Sequence, residues 1–402
     1  VLALKRLPPA GTAYPMPQWR AALRPGGARA ELIAGLSDRL EQRPLTLHRS
    51  GREALRVAFE ALARADGRGE IAVPAYTCYS VPAAAVAAGL AVRLIDTDDM
   101  GRIDPASLAQ ADLRDCAALV VGNLFGVPEP LASIRPLLRQ RGVALVDDAA
   151  QGLGAFDDEG PVGARGDIGI LSFGRGKPLS GLGGGAIVWP RAESSRGLAA
   201  SDTLRKPGAA SEGAAEAGSR GAAALLLRIA TWNLALRPSV FRLLAEIPGL
   251  GIGETHFDPD FAQGAMTAEA ASLARAALVD FERETRSRRE RALELAGALR
   301  ARTRFTPLLA TPAEAGVYPR LGVLAPDPEA RREGLARLRL AGVTGMYPSS
   351  LDAVPALRPR KVGPIDTPGA RAFAARVLTL PTHAGVSPAW RERIVSGLER
   401  CA

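Results

Sequence analysis

The sequence predicts an α/β protein: a mostly parallel sheet covered by helices on both faces, followed by a smaller α/β unit. Three observations carry this. From residue 48 to about residue 150, short continuous apolar runs alternate with amphipathic stretches, the pattern of strands buried on both faces and crossed by helices. Residues 266–302 then hold a long helical pattern with no Gly or Pro before Gly297. A second, shorter α/β set fills the chain beyond it.

Residues 1–45 are rich in Pro, Gly and Arg and show no clear period. They are expected to form an arm laid over a larger body. His48-Arg49-Ser50-Gly51 leads into REALRVAFEALARA, where Leu55, Phe59 and Leu62 share a helical face. IAVP (71–74) is expected as a strand, 81–90 as a helix and VRLID (92–96) as a strand. Residues 103–111 are expected as a helix capped by Asp104. AALVVGN (117–123) is a strand, 130–142 a helix ending at Gly142, and VALVDD (143–148) a strand. DIGILSF (167–173) and GAIVW (185–189) follow as strands with no obvious helix between them.

An Ala/Gly/Ser-rich stretch then opens an insertion around 191–262. Within it, 225–250 is apolar with interspersed Arg228, Arg237 and Arg242. Packing as an amphipathic helix pair is the plain reading, and contact with a membrane surface or a lipid substrate is the sharper one. The expected division is an arm at 1–45, a large domain at 46–265, and a linking helix with a small domain at 266–402.

Composition excludes several classes. The 402 residues are 47% hydrophobic and 23% charged, too apolar for a disordered chain. Cys78, Cys116 and Cys401 do not make a disulfide framework, and with only three histidines they show no paired metal-ligand spacing. No metal site is expected. Lys plus Arg is 51 against 42 Asp plus Glu, a formal charge of +9. The basic residues are almost all Arg and are spread out, without a dense run or interleaved aromatics, which argues against nucleic acid as a partner. No apolar run is long enough to cross a membrane, and the expected location is the cytoplasm.

Only four lysines occur, at 5, 177, 206 and 361. Lys177 stands apart, between two expected strands in SFGRGKPLSGLGGGAIV. Unlike Arg, a lysine amine can form a Schiff base. A Walker loop fails here, because Leu171 occupies the first Gly position and Pro178 follows Gly176-Lys177. Gly181 to Ala186 fits G-x-G-x-x-G/A, but runs into a strand where that motif must open a helix. A pyridoxal phosphate (PLP) site remains, needing a lysine, an acid for the ring nitrogen and small residues beside the phosphate. Asp147 and Asp148 end a strand where open α/β sheets bind ligands. Adjacent strand residues face opposite ways, so one of the two can be that acid. Helix capping is the competing role for either.

These segments resemble the DegT-type PLP-dependent sugar aminotransferases, of fold type I. SGREAL (50–55) is similar to that family's phosphate turn. Residues 73–98, 120–134 and 143–155 are similar to consecutive segments, 166–188 to the lysine segment and 378–398 to the closing segment. The resemblance implies a large domain with a mostly parallel, seven-stranded-type sheet between helices and a smaller C-terminal domain. It implies PLP as cofactor, glutamate as amino donor, a nucleotide-linked keto sugar as acceptor, and a homodimer. Residue by residue, Lys177 matches the Schiff-base lysine, and Asp148 the acid at the ring nitrogen. Gln151 matches the residue beside the ring and its 3-oxygen. Ser172 matches a phosphate hydroxyl, and the amides of Gly51 and Arg52 the phosphate turn, where a helix N-terminus adds its dipole.

Three positions depart from the family. Arg52 stands where Thr is usual. Cys78 stands where an aromatic ring stacks on the cofactor, with Tyr76 or Tyr79 as replacements. Gln263-Gly264-Ala265-Met266 stands for Asn-x-Arg-Met, with Gln263 in place of the Asn that reaches the partner subunit's phosphate. They bear on the acceptor more than on the cofactor. A lipid-linked acceptor and a non-catalytic binding relative are the alternatives to amino-sugar synthesis. The presence of Lys177 argues against the dehydratase branch, which has His there.

Overall fold

The computed structural model describes residues 5–24, 26–191, 219–247, 255–363 and 366–401. An eight-stranded sheet forms its centre, in the order β1-β9-β8-β5-β4-β2-β3-β12. Its strands are β1 (Leu45–His48), β2 (Glu70–Pro74), β3 (Ala91–Ile95), β4 (Cys116–Gly122), β5 (Ala144–Asp148), β8 (Ile168–Ser172), β9 (Gly185–Val188) and β12 (Lys361–Val362). The pairs β1·β9 and β9·β8 are antiparallel and the others parallel. A small antiparallel ribbon, β6 (Phe156–Asp157) with β7 (Gly160–Pro161), projects after β5.

The parallel strands read as unbroken apolar runs because both faces are covered. On one face the helix Gly51–Asp66 buries Leu55, Phe59 and Leu62 against Ile71, Val73, Val120 and Ile170. On the other, Leu119, Val121 and Leu145 pack with Ile134 and Leu138 of the helix Ile134–Arg141. Asp104 caps the helix Pro105–Gln110 by accepting from the Ala106 and Ser107 amides.

Both edges of the sheet hold strands that the sequence did not signal. β1 and β12 are four and two residues long, too short to establish a period. β12 makes the eighth strand, one more than the resemblance implies, and it comes from the C-terminal third of the chain.

Within the first 45 residues, where the sequence shows no clear period, lie the helices Met16–Leu23 and Ala28–Arg39. Leu32 and Leu36 pack with Ala270, Ala271 and Ala274, so tertiary burial makes a helix where local pattern is weak. The stretch 266–302 is not one helix but two, Ala268–Leu278 and Phe281–Arg302. The break at Val279-Asp280 leaves Val279 exposed and turns Phe281 into the core beneath Gly154.

The C-terminal set forms a three-stranded antiparallel sheet, β10 (Thr306–Pro307), β11 (Arg320–Leu324) and β13 (Val377–Pro381), in the order β10-β11-β13. The helices Pro328–Leu338 and Pro388–Glu399 pack on it. This half also reaches back, because Tyr347, Leu351 and Phe373 join the core of the large sheet. The N-terminal segment crosses the other way. Leu7 is fully buried among Leu338, Leu380 and Leu398.

In the insertion, residues 192–218 and 248–254 lie outside the described residues, as does Lys206. The apolar stretch forms the helices Ser219–Ala235 and Pro238–Ala245. Leu225, Ile229 and Phe241 face inward, whereas Leu227, Leu234, Leu243 and Ile247 are exposed. Among the described residues no helix is long and apolar enough to cross a membrane.

The C-terminal ends of β4 and β5 are held by buried polar groups. Asp147 and Arg165 pair at 3.0 Å with both side chains fully buried. Arg165 also donates to Asn123 Oδ1 at 2.6 Å and to the Glu129 carbonyl at 3.1 Å, and it pairs with Asp157. Asp147 accepts in addition from Asn123 Nδ2 at 2.8 Å and the Gly163 amide at 2.7 Å. Removing one partner would strand a buried charge. Arg165→Ala is therefore expected to lower the unfolding free energy in urea by about 3–5 kcal/mol.

His383 clamps the N-terminal segment to the C-terminal sheet. Its Nε2 lies 2.8 Å from the Pro8 carbonyl, and the Gly385 amide donates to Nδ1 at 3.1 Å. A carbonyl can only accept and an amide can only donate, so the ring is neutral with its proton on Nε2. Burial pushes its pKa down to about 4, opposed by the bond to Pro8 and reinforced by Arg288, Arg291 and Arg320. The folded value lies below the unfolded one, near 6.5, so the unfolded chain binds more protons between the two. Stability should fall as pH drops through that window, by up to about 3 kcal/mol from this group. His48, also driven by burial to about 4, adds a second contribution. His383→Gln should lessen the loss of stability seen in urea unfolding between pH 7 and pH 4.

Candidate active site

A cavity opens at the C-terminal ends of the central strands, where open α/β sheets place ligands. Gly51, Arg52, Cys78, Asp148, Gln151, Ser172 and Lys177 all line it. Elements far apart in sequence thus bring seven of the nine site residues expected from the sequence to one place.

Ser50 starts the helix Gly51–Asp66, its hydroxyl accepting from the Glu53 amide at 3.1 Å. The Gly51 and Arg52 amides come before the first intrahelical bond and face an anion-favouring helix end. Gly51 has to lack a side chain: a Cβ there would lie 2.8 Å from the Ser172 Cβ and 3.0 Å from its hydroxyl. The close approach of β8 to this helix start leaves a cup of two amides and one hydroxyl. Arg52 lies at the rim. Its guanidinium reaches Ser80 Oγ at 3.3 Å and the Asp258 carbonyl at 3.1 Å, and sits 5.2 Å over the Phe261 ring.

Asp148 forms the opposite end of the cavity. Strand alternation sends Asp147 into the Arg165 network and Asp148 into the cavity. Asp148 is 8% exposed and accepts from the Ala150 amide at 2.9 Å. Burial pushes its pKa up, while that amide and the positive charge of Lys177 pull it back. A buried carboxylate held in this way suits a cationic N–H donor.

Lys177 occupies the turn between β8 and β9. The turn is braced by amides of Gly181 and Gly183, both donating to the Phe173 carbonyl at 2.8 and 3.1 Å. Gly176, at φ +78°, takes a left-handed conformation that side chains resist, and a Cβ on it would meet Ala10 at 3.0 Å. From outside, Tyr14 donates to the Ser180 carbonyl at 2.7 Å and Arg288 to the Pro178 carbonyl at 3.2 Å. The cavity therefore presents an amine, a buried acid and an anion cup along one path.

Two expected residues are elsewhere. Tyr79 does not reach the cavity, because its hydroxyl is held 2.8 Å from Ser349 Oγ and its ring stacks 6.2 Å from Tyr347. Tyr76 is fully buried against Phe373, at 4.9 Å between centroids. Gln263 is exposed and lies outside the cavity. The aromatic side chain in the wall is instead Tyr347, from the C-terminal half. Thr77 and Asn123 also line it and were not anticipated. Asn123 carried a signal, since a polar residue ending the apolar run of β4 falls at a ligand-binding edge. Tyr347 carried none, because a loop brings it in over a separation of nearly 200 residues from Gln151.

The chain is similar in sequence and in fold to known proteins. The model of the DegT/DnrJ/EryC1/StrS aminotransferase family matches residues 28–219 and 262–399. The chain is 29% identical over 211 residues to the UDP-N-acetyl-3-dehydro-alpha-D-glucosamine 3-aminotransferase of Acidithiobacillus ferrooxidans, covering 46% of this chain and 56% of that protein. It is 30% identical over 226 residues to the dTDP-3-amino-3,4,6-trideoxy-alpha-D-glucose transaminase of Streptomyces venezuelae, covering 52% and 59%. These matches span less than two thirds of either relative. The aminotransferase TlmJ from Streptoalloteichus hindustanus shares the fold, with a TM-score of 0.75, 22% identity and 98% of both chains covered. With most of its length matched by the family model, the chain belongs to the DegT/DnrJ/EryC1/StrS aminotransferase family.

Proposed function

We propose that the protein is a PLP-dependent aminotransferase that moves an amino group from glutamate to a keto sugar, with a nucleotide-linked sugar as the acceptor class. The observation that carries the reading is the placement of Lys177, Asp148 and the Gly51–Ser172 cup around one cavity. Their chemistry fits the cofactor: an amine for its aldehyde, an acid for its ring nitrogen, and amides with a hydroxyl for its phosphate. The sugar acceptor is supported by two relatives whose names specify UDP- and dTDP-linked sugars.

Bound PLP would supply an electron sink for the carbon that loses a proton. Lys177 would hold the group through Nζ and, as a free amine, would take and return a proton at that atom. Asp148 would keep the ring nitrogen protonated by accepting a hydrogen bond from its N–H. The amides of Gly51 and Arg52 and the Ser172 hydroxyl would bind the phosphate, with Arg52 adding positive charge at the rim. The reading includes a homodimer, in which the exposed Gln263 would face the partner's cavity, and a cytoplasmic location. Exposed Leu227, Leu234, Leu243 and Ile247 favour a second reading, in which the acceptor is linked to a lipid. Turnover of sugar nucleotides free in solution would decide against it.

The purified protein with added PLP is expected to show a visible absorption band that is lost in Lys177→Ala and bleaches on adding glutamate. Asp148→Asn should retain PLP but bleach about 10²–10³-fold more slowly, the range for losing one preorganised electrostatic group. Absence of any band in wild type would end the reading.

A further inference from the structure

Gln151 is held at both ends of its amide. The Phe125 amide donates to its Oε1 at 3.1 Å, and its Nε2 lies 3.0 Å from the Tyr347 hydroxyl. A main-chain N–H can only donate, so Oε1 has to face Phe125 and Nε2 has to face Tyr347. The Tyr347 oxygen therefore accepts, and one Nε2 hydrogen is left over. Gln151 and Tyr347 both line the cavity and are both nearly buried, at 8% and 3% exposure.

The two partners are delivered by strained backbone. Phe125, whose own amide makes one bond, has φ +60°, and Met346, the residue before Tyr347, has φ +58°. Left-handed conformations are costly for a non-glycine residue and persist where surrounding contacts over-determine them. Those contacts are present. Tyr347 packs on Tyr76 and Tyr79, Ser349 bonds to Tyr79, and the Leu351 amide donates to the Ala75 carbonyl at 2.7 Å. Thr344 pairs with Thr379 of β13. The loop 344–351 thus ties the C-terminal sheet to the cavity wall through one hydroxyl.

We propose that Tyr347 is a positioning residue: by accepting from Gln151 Nε2 it holds that amide in the orientation set by the Phe125 N–H, and so presents the remaining Nε2 hydrogen to the bound cofactor. This rests on the PLP reading given above. Tyr347 is not required to exchange a proton. Burial raises its pKa well above the usual tyrosine value, in keeping with a hydroxyl that stays neutral.

The test is a double-mutant cycle of Tyr347→Phe and Gln151→Ala. Phenylalanine keeps the ring packing and removes only the hydroxyl. In wild type, Tyr347→Phe should weaken PLP binding, followed by fluorescence quenching, about three- to tenfold. It should also move the pH midpoint of the visible band. In the Gln151→Ala background the same change should do neither. Equal effects in both backgrounds would overturn the role of Tyr347. The cycle is repeated on cofactor-free protein by thermal unfolding, where the hydrogen bond alone should give a coupled loss. PLP uptake without coupling there overturns the positioning role, whereas coupling in a wild-type protein that takes up no PLP overturns the cofactor reading instead.

Discussion

The buried pair of Asp147 and Arg165 is the interaction on which the arrangement of the cavity depends. Two adjacent acids end β5, and an extended strand sends them to opposite faces. One has to be neutralised inside the protein for the other to face the cavity. Arg165 does this with a planar, permanently charged group that satisfies several acceptors together. Its partners include Asn123 and the carbonyl of Glu129, so the turn after β4 is fixed by the same cation. Asn123 in turn donates to the Asp148 carbonyl at 2.9 Å. The position of Asp148 is therefore set by its neighbour's ion pair as much as by its own strand.

The cavity is also built by the meeting of chain segments with different jobs. The large sheet supplies the acid, the helix start and the lysine turn. The C-terminal half supplies Tyr347 and the phenyl ring of Phe373, which packs against Tyr76 and Phe125. The N-terminal segment supplies outside support, with Tyr14 on Ser180 and Ala10 against Gly176. Lys177 is consequently flanked by contacts from all three, and its turn is constrained while Lys177 itself stays only half-buried.

Much of this was legible in the sequence, and what was legible has a common cause. Strands β2 to β5 announce themselves because burial on both faces demands unbroken apolar runs, and Asp104 announces its helix through a capping pattern within three residues. Lys177 stood out through its glycine-rich turn and Asp147-Asp148 through their place at a strand end, whereas the choice of Asp148 and the roles of Gln151 and Ser172 came from the family resemblance. What stayed hidden depended on partners distant in sequence. Leu32 and Leu36 look unremarkable until Ala270 and Ala274 cover them. Val279 and Asp280 contain no helix breaker, and the bend there follows from where Phe281 is buried. Tyr79 looked like a ring for the cavity, but the Ser349 loop holds its hydroxyl, and Tyr347 arrives on that same loop.

The burial of Leu7 has a bearing on how the molecule is made. Leu7 lies early in the chain, whereas its neighbours Leu380 and Leu398 are translated long after it. During synthesis the segment around Leu7 has no completed core to enter, and the outer edge of β3 waits similarly for Lys361 and Val362. An open parallel edge and an unpaired apolar segment are both sites for wrong association. The first and last parts of the chain thus close the structure together, and a nascent chain stalled before residue 361 would expose both to the chaperones and proteases around the ribosome.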